Sequence, residues 1–255
     1  MPETSPEASE TPAEPTFLST KTIPPEQRLI FALDVPSVAE AKSLVERLKE
    51  AVEFYKVGLE LFATGEGFEL VDWLTGRDKQ VFVDLKLYDV PETVHRAVRQ
   101  LSRRPITFTT VHGNDSILEA ACRDKGDLKI LAVTVLTSLD RRDLSDMGYE
   151  VDVEQLVLSR ARRAQEIGCE GVVASGLEAR PLRENLGERL LIVTPGIRPV
   201  EDRPADDQKR VVNVEQAFRN GADYIVVGRP IRNAPDPYEA ALQIQGTITG
   251  MFVGG

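Results

Sequence analysis

Apolar residues along the chain recur in two rhythms. Dense short runs rich in Val, Ile, Phe and Thr lie at residues 29–33 (LIFAL), 54–58 (FYKVG), 81–84 (VFVD) and 106–111 (ITFTTV). Four more follow at 129–135 (KILAVTV), 171–174 (GVVA), 190–193 (LLIV) and 224–227 (YIVV). Runs this short, most of them bounded by polar residues or glycine, predict strands buried on both faces of a parallel sheet. Between them the spacing becomes helical. Val38, Ala41, Leu44, Val45 and Leu48 share one stripe, as do Val94, Ala97, Val98 and Leu101 after Pro91. Residues 153–167 carry another helix, and 214–218 begin one that Asn220-Gly221 would end. Eight strands alternating with helices predict an α/β fold, either a single-domain (β/α)8 TIM barrel or a doubly wound sheet. No G-x-G-x-x-G follows the first strand, so the barrel fits better, with its active site at the C-terminal strand ends.

Length and composition sharpen this at the edges. The 255 residues match one such barrel. Of the first 25, eighteen are Pro, Glu, Ser or Thr, too poor in large apolar groups to offset the entropy of ordering. The expected organisation is a disordered extension over 1–25 and a barrel domain over 26–255. Two cysteines, Cys122 and Cys169, and two histidines, His95 and His112, leave no material for a disulfide scaffold or a Cys/His metal centre. A net charge of −10 opposes nucleic acid and anionic membranes unless a local basic patch reverses the field. With no membrane-length apolar run and no secretory signal pattern, the expected place is the cytoplasm.

The strand ends carry the chemistry. Asp84 and Lys86 in VFVDLKLYDVPETV are two apart, so one strand projects both into the barrel mouth. A carboxylate and an ammonium buried there cost several kcal/mol each unless paired. A structural ion pair would suffice, but Asp89 adds a further carboxylate just past the strand, and Pro91 directs how the chain leaves. Asp34 closes the first strand, and Lys56 interrupts an apolar second strand, where it needs an anionic partner. His112 ends the fourth strand and reads as a packed, hydrogen-bonded residue, whereas Thr137 and Ser138 after the fifth can bond a ligand. Strand seven runs into residues 194–199 (TPGIRP), and strand eight ends Gly228-Arg229-Pro230. Loops in these two positions commonly bind phosphate in barrels, and Arg198 and Arg229 would concentrate the positive charge an acidic protein needs for it.

Together these segments resemble the bacterial orotidine 5′-monophosphate decarboxylases. Asp84-x-Lys86-x-x-Asp89-x-Pro91-x-Thr93 is similar to that family's signature, as are Leu33-Asp34, Tyr55-Lys56-Val57-Gly58, Leu136-Thr137-Ser138, TPGIRP and Gly228-Arg229-Pro230, in order over roughly residues 28 to 240. Leu87-Tyr88 stands where the family pattern has Phe-His, a difference that bears on packing. The resemblance implies decarboxylation of orotidine 5′-monophosphate to UMP without cofactor or metal, the last step of pyrimidine nucleotide synthesis. It implies that Lys86 donates the proton, with Asp84 beside the departing carboxylate. Lys56 and Asp34 would contact the ribose and brace the charges. Thr137 would bind the base, and Arg198, Gln208, Gly228 and Arg229 the phosphate. It further implies a homodimer in which Asp89 and Thr93 complete the neighbouring site.

Two rivals stand beside this reading. One is a related sugar-phosphate lyase or decarboxylase holding Mg²⁺ on the same aspartates. The other is a barrel that binds a phosphorylated ligand without turning it over.

Overall fold

The computed structural model of the protein describes residues 16–198 and 211–253. Eight parallel strands close in sequence order, the last pairing with the first. They are β1 (Leu29–Ala32), β2 (Phe54–Gly58), β3 (Gln80–Leu87), β4 (Phe108–His112), β5 (Lys129–Val133), β6 (Gly171–Val173), β7 (Leu191–Thr194) and β8 (Tyr224–Val227). The helices on the outside are α1 (Val38–Leu48), α2 (Leu59–Ala63), α3 (Gly67–Thr75), α4 (Pro91–Leu101), α5 (Asp115–Cys122) and α6 (Arg141–Asp146). After these come α7 (Val153–Ile167), α8 (Ala179–Leu186), α9 (Val214–Arg219), α10 (Arg229–Arg232) and α11 (Pro237–Phe252). The fold is the expected single (β/α)8 barrel. No helix among the described residues is long and apolar enough to cross a membrane.

Local chemistry starts and stops these helices where the sequence predicts. The Ser37 side chain accepts the Glu40 backbone N–H to begin α1. Val90 is extended at ψ 145°, as a residue before proline must be, and Pro91 occupies the first turn of α4. Gly221, at φ +105°, takes the left-handed turn that releases the chain after α9.

Alternation along the strands sorts the core into two layers. Outward residues such as Leu29, Phe31, Tyr55, Val57, Val81 and Val83 pack under the helices. Inward residues Ile30, Phe54, Phe82, Phe108, Leu131, Val193 and Tyr224 fill the barrel. The Phe108 ring lies 5.2 Å from both Phe54 and Tyr224. Burying each such side chain contributes about 1.5–3 kcal/mol. The next inward positions toward the C-terminal end are Lys56, Asp84 and Thr110, so the aromatic plug is the floor on which a charged layer rests.

The N-terminal extension differs from expectation. Residues 1–15 lie outside the described residues, but the chain from Phe17 onward is anchored on the barrel's N-terminal end. Phe17 N–H donates to the Arg219 carbonyl at 2.8 Å. Ser19 Oγ donates to the fully buried Asp223 at 2.5 Å, and Lys21 Nζ lies 3.1 Å from the same carboxylate. Arg183 Nη2 holds its other oxygen at 2.5 Å. The boundary drawn at residue 25 therefore falls too late, because a buried ion pair recruits the polar residues whose composition alone argues for disorder.

Candidate active site

The C-terminal mouth of the barrel opens into a cavity of about 490 Å³, the size of a small-ligand site. Its charged wall comes from three neighbouring strands. Lys56 Nζ stands 3.0 Å from Asp34 Oδ1 and 3.6 Å from Asp84 Oδ2, and Lys86 Nζ stands 2.9 Å from that same Asp84 oxygen. Asp34, Lys56, Asp84 and Lys86 thus form a line of alternating charge. Only the ends are open: the Asp34 and Lys86 side chains are 54% and 34% exposed, against 12% and 11% for Lys56 and Asp84. A Cβ at Gly58 would lie 3.3 Å from Lys56 Nζ, so the glycine ending β2 leaves room for the ammonium.

Burial opposes charge on both central groups, and the array overrides it. At Lys56, desolvation pulls the pKa down, but Asp84 and Asp34 raise it above the usual lysine value. At Asp84, desolvation pushes up, while Lys56, Lys86 and hydrogen bonds from Lys86 and Thr110 bring the carboxyl below its usual value. Both stay ionised at neutral pH. The wall therefore presents fixed charge to the cavity, and the Lys86 ammonium is its accessible cationic end.

Lys86 reaches this position through an irregularity. β3 pairs with β4 at Val83↔Thr109 and resumes at Leu87↔Val111, four residues on one strand against two on the other. Lys86 sits in that bulge at φ +49°. Simple alternation predicts the correct side for it but not the distorted backbone that places it there.

Across the barrel from β3, Arg198 follows β7 and Arg229 follows β8, both lining the cavity with Pro195, Gly196 and Gly228. Thr137 lines it from the β5 side, while Ser138 is exposed. The cavity is thus polar at both ends, with Val133, Val135 and Val173 between. It suits a ligand with an anionic end, a flat or apolar middle and a group to set against Lys86.

Two expected residues, Asp89 and Thr93, are not brought into the cavity. Asp89 and Thr93 are exposed, and Asp89 Oδ1 accepts the neighbouring Val90 N–H at 2.6 Å. Asp89 therefore adds no carboxylate to this chain's own array, because the chain turns outward after Leu87. Gln208 lies outside the described residues. His112 is half-buried and packs on the Tyr88 ring at 4.8 Å; burial, Arg160 and Lys86 lower its pKa, so it is neutral at pH 7.

Three cavity or array residues escape the sequence reading. Thr110 Oγ1 donates to Asp84 Oδ1 at 2.8 Å; its inward place on β4 was the available signal. Arg232 lines the cavity and donates to the Asp34 carbonyl. Glu60, on α2, also lines it, and no motif marks it.

Comparison with known proteins agrees with this geometry. The sequence profile of the orotidine 5′-phosphate decarboxylase / HUMPS family matches residues 27–244. The orotidine 5′-phosphate decarboxylase of Methylococcus capsulatus is 66% identical over 241 residues, covering 94% of this chain and 100% of that protein. That of Stenotrophomonas maltophilia is 51% identical over 225 residues, 88% of this chain and 93% of the relative. The crystal structure of the Lactobacillus acidophilus orotidine 5′-phosphate decarboxylase aligns with a TM-score of 0.76 at 33% identity, covering 87% of this chain and 99% of that one. With its closed barrel, its alternating charges at the mouth and this extent of shared sequence, the chain belongs to the orotidine 5′-phosphate decarboxylase / HUMPS family.

Proposed function

We propose that this carboxy-lyase converts orotidine 5′-monophosphate to UMP and CO2, with Lys86 protonating the carbon that loses the carboxylate. One observation carries the reading: the Lys86 ammonium enters the cavity 2.9 Å from Asp84, facing a far wall that carries Arg198 and Arg229. The phosphate would lie at Arg198, Gly228 and Arg229, joined by Gln208, and the base at Thr137. The ribose would lie toward Asp34 and Lys56.

The chemistry follows from charge. As the bond to the carboxylate breaks, its electron pair stays on an sp² ring carbon that delocalises it poorly. A fixed ammonium stabilises that charge as it develops and then transfers a proton to the carbon. Lys86 is left neutral and regains its proton from water. The substrate carboxylate, set near Asp84, meets a like charge; at about 4 Å and an effective dielectric near 20 the repulsion is roughly 4 kcal/mol. That strain vanishes as neutral CO2 forms. The larger role of Asp84 is to keep Lys86 charged and aimed. Binding energy from the remote phosphate would close the loops over the base.

The Mg²⁺-dependent rival needs a free Asp84 oxygen, yet Oδ1 is engaged by Thr110 and Oδ2 by both ammonium groups. We also place Asp89 and Thr93 in a neighbouring subunit's site across a homodimer interface. Their exposure beside Tyr88 and Val90, 66% and 64% exposed, supports a surface that a second copy covers. The deciding experiment follows the orotidine absorbance after purified protein is added. Loss of the signal with release of CO2 is expected; tight UMP binding without turnover would favour a non-catalytic barrel instead.

A further inference from the structure

We propose that Thr110 is a positioning residue for this reaction, its hydroxyl locking the Asp84 carboxylate to the Lys86 backbone so that the Lys86 ammonium points into the cavity. The inference rests on the reading of Lys86 as proton donor. Thr110 is fully buried. Its Oγ1 accepts the Lys86 backbone N–H at 2.9 Å and donates to Asp84 Oδ1 at 2.8 Å. An amide can only donate, so the hydroxyl accepts there and its single proton goes to the carboxylate. With Oδ1 held in this way, Oδ2 faces Lys86 Nζ at 2.9 Å and Lys56 Nζ at 3.6 Å. The bonds form a closed ring: Lys86 amide, Thr110 hydroxyl, Asp84 carboxylate, Lys86 ammonium.

The ring sits where the β3–β4 ladder breaks, between Val83↔Thr109 and Leu87↔Val111. Lys86, at φ +49°, has a conformation that side chains other than glycine keep only when their surroundings over-determine it. A threonine hydroxyl provides that determination by receiving the displaced amide. Strand formation alone does not require the hydroxyl, since valine is of similar shape and equally suited to β4. What valine cannot do is fix the rotation of Asp84 and the amide of Lys86 together.

Asp84 is faced by Lys56 from β2, Lys86 from its own strand and Thr110 from β4, with Asp34, just after β1, acting through Lys56. His112, the next inward position on β4, is neutral at pH 7 and adds no charge there. Loss of the Thr110 bond removes one group that favours ionised Asp84, so its pKa rises and the acid limb of kcat moves to higher pH.

The test compares Thr110→Val and Thr110→Ser in the full-length protein, measuring kcat and KM for orotidine 5′-monophosphate across pH. Thr110→Val should lower kcat about tenfold to hundredfold, the penalty for misplacing a reacting group by about 1 Å. KM should stay within about threefold, since a group aimed only in the transition state is lost. Thr110→Ser, which retains the hydroxyl, should restore kcat and the wild-type pH profile. A Thr110→Val enzyme with wild-type kcat and pH profile overturns the proposal, and so does a Thr110→Ser enzyme as impaired as the valine variant, which would make the role one of shape. Where Thr110→Val does not fold, Thr110→Ala against Thr110→Ser gives the same split. An inactive wild type would refute the decarboxylase reading itself, whereas an active wild type with an undisturbed valine variant refutes only the role of Thr110.

Discussion

Lys86 meets Asp84 at 2.9 Å from a backbone held at φ +49°. A left-handed lysine costs about 1–3 kcal/mol, a cost that positions its ammonium at the accessible end of a buried charge line. Replacing Lys86 by alanine would remove both the proposed proton donor and the charge proposed to stabilise the developing anion. Each effect is worth at least about 10²-fold, so kcat should fall by about 10⁴-fold or more. The fold should persist, because Asp84 keeps Lys56 at 3.6 Å. Turnover and thermal unfolding measured side by side check this; turnover close to wild type would end the proposed role.

The array also links stability to pH. Asp84 has a lowered pKa in the folded state, so its contribution is present above the unfolded value near 3.9 and is lost as pH falls through the folded value. Lys56 has a raised one, so its contribution is present below about 10.4 and is lost as pH rises through the folded value. Asp84→Asn should cost about 1.5–3 kcal/mol at pH 7, the worth of hydrogen bonds to a charged group, because buried Lys56 keeps Asp34 at 3.0 Å while the more accessible Lys86 loses its carboxylate. In urea titrations the gap between wild type and variant should narrow below about pH 4 as the wild-type carboxylate takes up its proton. A gap unchanged from pH 7 down to pH 3 would show that the charge of Asp84 is not its origin.

The barrel and half of the site could be read in the sequence for a common reason. Apolar runs buried on both faces announce strands, and a polar residue at an inward position of such a run, like Lys56 or Asp84, has no bland explanation. Thr110 escaped because threonine is also an ordinary strand former, so its hydroxyl carries no signal until its partners are placed. Asp89 was read as a further carboxylate beside Asp84 and Lys86, because a separation of five residues from Asp84 says nothing about the outward turn after Leu87. The anchoring of Ser19 and Lys21 depended on Asp223, more than 200 residues away in sequence, a distance over which composition has no reach.

That remote anchor makes its own prediction. Asp223 is fully buried and pairs with Arg183, whose side chain is 1% exposed, and with Lys21. Asp223→Ala removes the buried counter-charge of the Arg183 guanidinium, leaving only the half-exposed Glu188 at 3.8 Å, and should destabilise the protein by about 3 kcal/mol. The cluster lies at the end of the barrel opposite the cavity, so kcat per folded molecule should be unchanged. Amides 17–21 should exchange faster with solvent than in the wild type. Unfolding midpoints, turnover and hydrogen exchange check the three parts, and loss of turnover in fully folded Asp223→Ala would mean that the two ends of the barrel are coupled.

Subunit sharing of the site can be tested by mixing two inactive proteins. In a homodimer whose sites each take Lys86 from one chain and Asp89 from the other, both Lys86→Ala and Asp89→Ala should be inactive alone. A mixed dimer contains one site with both changes and one site with neither. Random reassortment makes about half of the dimers mixed, each with one intact site of two, so activity should return to about a quarter of the wild-type value. Sedimentation at the assay concentration would confirm that the species is a dimer. No recovery after complete reassortment, or an active Asp89→Ala protein, would assign the whole site to a single chain and leave the exposed Tyr88–Asp89–Val90 rim without a catalytic reason.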